Sequence, residues 1–264
     1  MASRSGVRNY RFSFDFYITP AIQWLIIANV AIYILENFLQ VFWSTPTSSA
    51  YAVFLHYFGL VPSGVTHGLR IWQPFTYLFL HDVQTIWHIL TNMFMLWMFG
   101  RELELVWGRN RFLQYYFLTG VGAGLIEVLV KTLPIFWGYP PSDTPTIGAS
   151  GAIFGVLLAC AILFPDRQVY IFPLPIKISM RTVVIIMTAL EFVGTFGVGG
   201  DNISHICHLG GMLVGYLYLR RGTFLYSVRN SVSDWKLERN KKRFQVYMNK
   251  NKREPPSRPD SWVN

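Results

Sequence analysis

One serine stands between two glycines in Gly148-Ala149-Ser150-Gly151, where the polar stretch Pro145-Thr146 gives way to the apolar run Ala152-Ile153-Phe154-Gly155. A serine hydroxyl is a poor nucleophile unless a general base takes its proton and donors receive the oxyanion that forms. The chain offers candidates for both. His208 lies in His205-Ile-Cys-His208-Leu-Gly-Gly211-Met-Leu-Val-Gly215, and His88 and Asn92, four residues apart, share one helical face. Taken alone, Gly-x-Ser-Gly also fits close packing between transmembrane helices, and a lone intramembrane histidine is commonly structural. The weight comes from three polar sites that the topology below sets at one depth. His81 and His88 are seven residues apart with no matching acid or cysteine cluster, so no metal site is expected.

The elements that must carry these residues are written in the composition. The chain is 264 residues long, 52% hydrophobic, 17% aromatic and 14% charged, and its apolar residues fall in blocks. This predicts an all-α, polytopic membrane protein with helices over about 21–43, 86–100, 112–131, 148–165, 182–198 and 203–219. The second and fourth are short and could also be buried or re-entrant. Cys160 and Cys207 both sit in apolar segments, which excludes a disulfide framework.

Basic residues Arg101, Arg109, Arg111, Arg167, Lys177 and Arg181 follow the second and fourth stretches, so both termini are expected in the cytoplasm. The expected organisation is a cytoplasmic segment over 1–20, a six-helix domain over 21–219 and a basic cytoplasmic tail over 220–264. The aromatic-rich loop between Ser44 and Thr85 is expected to lie in the outer leaflet, broken at Pro62, Gly64 and Pro74. Ser150 and His208 then both fall near the outer face. His208, Gly211 and Gly215 line one face of the sixth helix, and Gly151 with Gly155 offers a smooth face on the fourth for close approach. Glu127 reads as a snorkelling or paired residue. Glu127, Glu191 and Asp201 have no spacing that ties them to His208, so a Ser-His dyad is expected.

Across roughly residues 20 to 220 the chain resembles the rhomboid family of intramembrane serine proteases. The resemblance rests on Trp72-Gln-Pro-Phe-Thr, His88-x-x-x-Asn92, Gly100-Arg-Glu-Leu-Glu104-x-x-x-Gly108, Gly148-Ala-Ser150-Gly151 and His208-Leu-Gly-Gly-x-x-x-Gly215, in that order. It implies Ser150 as nucleophile, His208 as base, His88, Asn92 and the Ser150 N–H as oxyanion hole, and Phe154 stacked beside the histidine. It also implies no cofactor, and a transmembrane protein helix as substrate. Gln73 stands where the family often has arginine, which bears on how the loop is anchored, and His81 and His88 are spaced more widely than in the best-known bacterial members. The expected setting is a multi-pass protein of a bacterial inner membrane.

After Leu219, twelve Lys or Arg face four acids, a balance of +8 out of the chain's +9. The tail is expected to meet anionic lipid or to be a solvated segment obeying the positive-inside rule. Nucleic acid is not expected as a partner, because no folded module accompanies the charge. The Gly197–Asn202 loop is a candidate flexible cap. A transporter would need polar residues through the midplane and repeat symmetry, and neither is visible. The competing function is an inactive rhomboid-like protein that binds or routes membrane clients, a class that typically lacks the serine or histidine present here.

Overall fold

The computed structural model describes residues 17–45, 48–138, 140, 142–171, 176–196 and 204–221. The first sixteen residues, the expected cap at 197–202 with Asp201, and all but the start of the tail lie outside that set.

Helix α1 (Pro20–Phe42) opens with Pro20 in its first turn, where the missing N–H costs nothing. Its next donors are capped from elsewhere: both Glu104 carboxylate oxygens accept from Ala21 N, at 2.9 and 3.1 Å, and Oε2 also accepts from Ile22 N. An acid at a helix N-terminus is also favoured by the helix dipole. Short helices α2 (Ala50–Phe58), α3 (Pro62–Thr66) and α4 (Gln73–Thr76) follow, and a 3-10 turn covers Tyr77–Phe79. Pro62 and Pro74 therefore start helices instead of breaking them, since a fixed φ near −65° suits the first turn. This segment is also more deeply set than a surface-lying piece: Leu60, Val61, Gln73, Tyr77 and Leu78 are fully buried.

Helix α5 (Ile86–Met95) runs through a wide π turn at Leu96–Gly100 into α6 (Arg101–Trp107), so the short second stretch of the sequence is part of a longer helical course. Gly108, at φ +79°, turns the chain into α7 (Arg109–Thr132). Then come α8 (Ser150–Leu163), an antiparallel pair (Gln168–Ile171 with Ile176–Ser179), α9 (Met180–Gly194) and α10 (His205–Arg220). Among the described residues, six principal helical courses overlap the six apolar stretches.

Among the described residues, two helices, Pro20–Phe42 and the course Arg109–Trp137, are long and apolar enough to cross a membrane. Large apolar side chains project outward from several helices, among them Trp24 and Ile34 on α1, Leu129 on α7, Ile185 and Leu190 on α9, and Leu213 and Leu217 on α10. α8 is the inverse: Gly151 through Leu157 are buried, and α7 and α10 pack most heavily against it. A helix buried all round is the centre of its bundle.

Candidate active site

The Ser150 Oγ and His208 Nε2 atoms are 2.7 Å apart, a hydrogen bond between two helices whose residues are 58 positions apart in sequence. Small residues make this approach possible. A Cβ at Gly211 would fall on the Gly151 backbone carbonyl, and one at Gly151 would meet Cys207 Sγ at 2.9 Å. The four glycines do not form one mutual face, however. Gly151 and Gly211 meet each other, whereas Gly155 faces Thr119 and Gly215 faces Tyr115, both on α7. The Tyr115 hydroxyl completes this corner by donating to the Gly155 carbonyl at 2.8 Å. The Phe154 ring, one helical turn beyond Ser150, stacks on the His208 imidazole with centroids 4.2 Å apart and planes 12° from parallel.

α8 begins at Ser150, so the Ser150 N–H belongs to a first turn whose donors lack intrahelical acceptors. Gly148 precedes it at φ +119°, a conformation that suits glycine. A Cβ there would lie 2.9 Å from His88 Nε2, so Gly148 also provides the space in which that nitrogen faces the serine loop. The tautomer of His88 follows from its other nitrogen. Asp82 N donates to Nδ1 at 3.2 Å, which puts the proton of the neutral ring on Nε2, the atom nearest the serine loop. Asn92 is buried one turn below, with its Nδ2 donating to the His88 carbonyl at 2.8 Å and Oδ1 unpaired. Its amide must rotate off that carbonyl before it can serve an oxyanion. His81 lies against His88, with ring centroids 5.1 Å apart, and burial, followed by the neighbouring His88, pushes its imidazole down to about 3.

The loop before the serine is held by α7 and by the first long loop. Leu60 and Thr146 exchange backbone hydrogen bonds at 2.9 Å in each direction, and Gly148 N donates to the Tyr77 carbonyl at 2.9 Å. Buried Glu127 ties several segments together through Oε1, which accepts from Thr146 Oγ1 (3.0 Å) and Ser204 Oγ (2.5 Å) and pairs with Lys131 (2.6 Å). It is a paired residue, as its sequence context suggests. Gln73 provides firm anchoring: its Oε1 accepts from Val61 N at 3.1 Å and its Nε2 donates to the His56 and Tyr57 carbonyls at 3.0 and 3.2 Å.

The residue that sequence spacing missed is Glu191. Its Oε2 is 2.9 Å from His208 Nδ1 and 2.7 Å from His205 Nδ1. The His208 contact has ion-pair distance without hydrogen-bond alignment, while the His205 contact has both. The two-residue grouping therefore has a carboxylate behind it. The available signal was that His205 and His208 share a helical face; nothing in one-dimensional spacing joins α9 to α10.

The Rhomboid domain family matches residues 68–222, more than half of the chain. The chain is 30% identical over 135 residues to rhomboid protein 1, mitochondrial, of Saccharomyces cerevisiae, which covers 51% of the chain and 38% of that protein. It is 32% identical over 136 residues to presenilin-associated rhomboid-like protein A, mitochondrial, of Danio rerio, covering 51% and 34%. RHOMBOID-like protein 1 of Arabidopsis thaliana is 26% identical over 254 residues, covering 85% and 59%. The chain thus spans about a third of the length of the first two relatives. These eukaryotic relatives, two of them mitochondrial by name, overturn the bacterial inner-membrane placement expected from the sequence. The charge pattern behind that expectation orients helices across a membrane but does not identify the membrane. With its outward apolar surface and the matched domain, this is a membrane protein, and the chain belongs to the rhomboid family.

Proposed function

We propose that this chain is an intramembrane serine endopeptidase that cleaves transmembrane substrate helices near the outer face of the membrane. The observation that carries this reading is the 2.7 Å contact between Ser150 Oγ and His208 Nε2, with Phe154 stacked on the imidazole. In the reaction, His208 Nε2 takes the Ser150 proton and Oγ attacks the substrate carbonyl carbon. The oxyanion is met by the Ser150 N–H and His88 Nε2–H, with Asn92 joining after its amide rotates. The imidazolium gives its proton to the leaving amine, and water then hydrolyses the acyl-enzyme by the same route. Glu191 faces the Nδ1 side of His208 and stabilises the positive charge that forms there.

The same reading has six helices crossing the bilayer, which leaves both termini on one side of it, and residues 21–219 acting as the catalytic domain. α8 has 14 residues and spans about 21 Å against about 30 Å of hydrocarbon. Ser150 is then recessed roughly 10 Å from the outer side if the other end of α8 reaches the inner boundary. The tail after Leu219 engages anionic lipid, and no nucleic acid is involved. The inactive alternative is not favoured, since serine and histidine are both present and in contact.

The test compares purified wild type and Ser150→Ala on a reporter transmembrane substrate, with fluorophosphonate labelling in parallel. Wild type should cleave and label, and Ser150→Ala should do neither. Equal cleavage by both would end the serine-protease reading.

A further inference from the structure

Glu191, His205 and His208 bring one carboxylate oxygen and two imidazole nitrogens within 4.8 Å of one another. We propose that this cluster is an inhibitory binding site for a divalent zinc-like cation; the inhibition, though not the binding, rests on the protease reading above.

The donor set is suited to zinc, which takes imidazole nitrogen and carboxylate oxygen at about 2.0–2.2 Å. A tetrahedral ion needs ligand atoms about 3.3 Å apart at those bond lengths. The Oε2 to Nδ1 separations are already 2.7 and 2.9 Å, so these pairs open by a few tenths of an ångström. The two imidazoles close onto the ion by side-chain rotation. Three protein ligands leave a fourth position for water, and the side chains are 10–14% exposed, which gives a small ion a path in.

The fold also supports this placement. Gly194 is one turn after Glu191 on α9, and a Cβ there would overlap the His205 ring. The glycine thus lets His205 lie against α9 with Nδ1 toward the carboxylate. α9 itself is mostly outward-facing, with only Met180 and Val184 buried among its described side chains, so Glu191 can adjust without disturbing the central helices.

The chemical consequence is specific. When His208 Nε2 accepts from Ser150, its ring proton is on Nδ1. An ion on Nδ1 requires that lone pair, so the ring proton moves to Nε2 and the neutral imidazole can no longer take the serine proton. Binding therefore switches off the base without blocking Ser150.

The experiment uses purified full-length Ser150→Ala protein in detergent, titrated with Co²⁺ followed by visible absorbance and with Zn²⁺ by calorimetry. One ion per chain, with affinity at least tenfold weaker in Ser150→Ala carrying Glu191→Gln or His205→Gln, supports the site. No binding up to 100 μM, or binding unaffected by either second substitution, overturns it. Two substitutions on different helices keep the test decisive if one variant aggregates on size exclusion. In the active protein, Zn²⁺ should lower cleavage at least tenfold, EDTA should restore it, and the fold-inhibition should shrink in His205→Gln relative to that variant's own metal-free rate. Cleavage unaffected by saturating Zn²⁺ overturns the inhibitory role. An inactive wild type that still binds one ion would sink the protease reading and leave the metal site standing.

Discussion

Gly211 on α10 sits directly against the Gly151 carbonyl on α8, with no space for a methyl group between them. This contact fixes the distance between Ser150, one residue before Gly151, and His208, one turn before Gly211. Gly211→Ala should force the helices apart, costing about 1–3 kcal/mol as overpacking does, and separating Ser150 from His208. Thermal unfolding in detergent and turnover of a reporter substrate should both fall. Full activity in a Gly211→Ala protein would show that the helix contact does not set the Ser-His distance.

Nucleophile and base act as a unit in the proposed reaction, so Ser150→Ala and His208→Ala should each abolish cleavage, and the double variant should be no worse than either. Cys207→Ser should keep most activity, because the Cys207 thiol packs against Gly151 and the Tyr77 hydroxyl and has no part in the proposed reaction. Single-turnover assays on all four proteins check this.

His88→Ala and Asn92→Ala should lower turnover by at most about 10²–10³ each, the loss expected for one oxyanion donor. His88 should be the more sensitive, since its Nε2–H already faces the serine loop while the Asn92 amide is engaged with the His88 carbonyl. A change confined to KM would remove that residue from the oxyanion hole.

Glu127 joins the loop entering α8 to the start of α10 through Thr146 and Ser204. Glu127→Ala leaves both hydroxyls and Lys131 without this acceptor, which should cost roughly 1–3 kcal/mol and reduce turnover. Glu127→Gln should recover part of both, since an amide oxygen still accepts. Denaturation midpoints paired with kcat for the two variants test the assignment.

Burial holds the His81 pKa near 3, well under the usual histidine value. Below pH ~6.5 the unfolded chain binds a proton that the folded one does not, so stability declines as pH falls from there toward 3. The slope is at most about 1.4 kcal/mol per pH unit, or about 2.7 kcal/mol between pH 6.5 and 4.5. His81→Gln should be less stable at neutral pH yet show a flatter acid decline, measured by thermal unfolding at the two pH values. Equal slopes would assign the acid loss to other groups.

The helical courses and the Ser150 and His208 positions were legible in the sequence because they rest on local properties: runs of apolar residues, a serine between glycines, and polar residues repeating at helical spacing. Pro62 and Pro74 read as breaks in the sequence and stand in the first turns of new helices in the structure, since proline stops a helix from one side and begins it from the other. Gln73 shows the reverse limit. It departs from the motif, yet its own side chain is buried and the Val61 N–H and the His56 and Tyr57 carbonyls give its amide a complete set of partners. The tertiary structure alone decided which glycines meet, that Gly155 and Gly215 face α7, and that Glu191 stands behind His208. Periodicity tells which residues share a face of their own helix. Which face of another helix comes within 3 Å depends on the shapes of both, and that appears only when they pack.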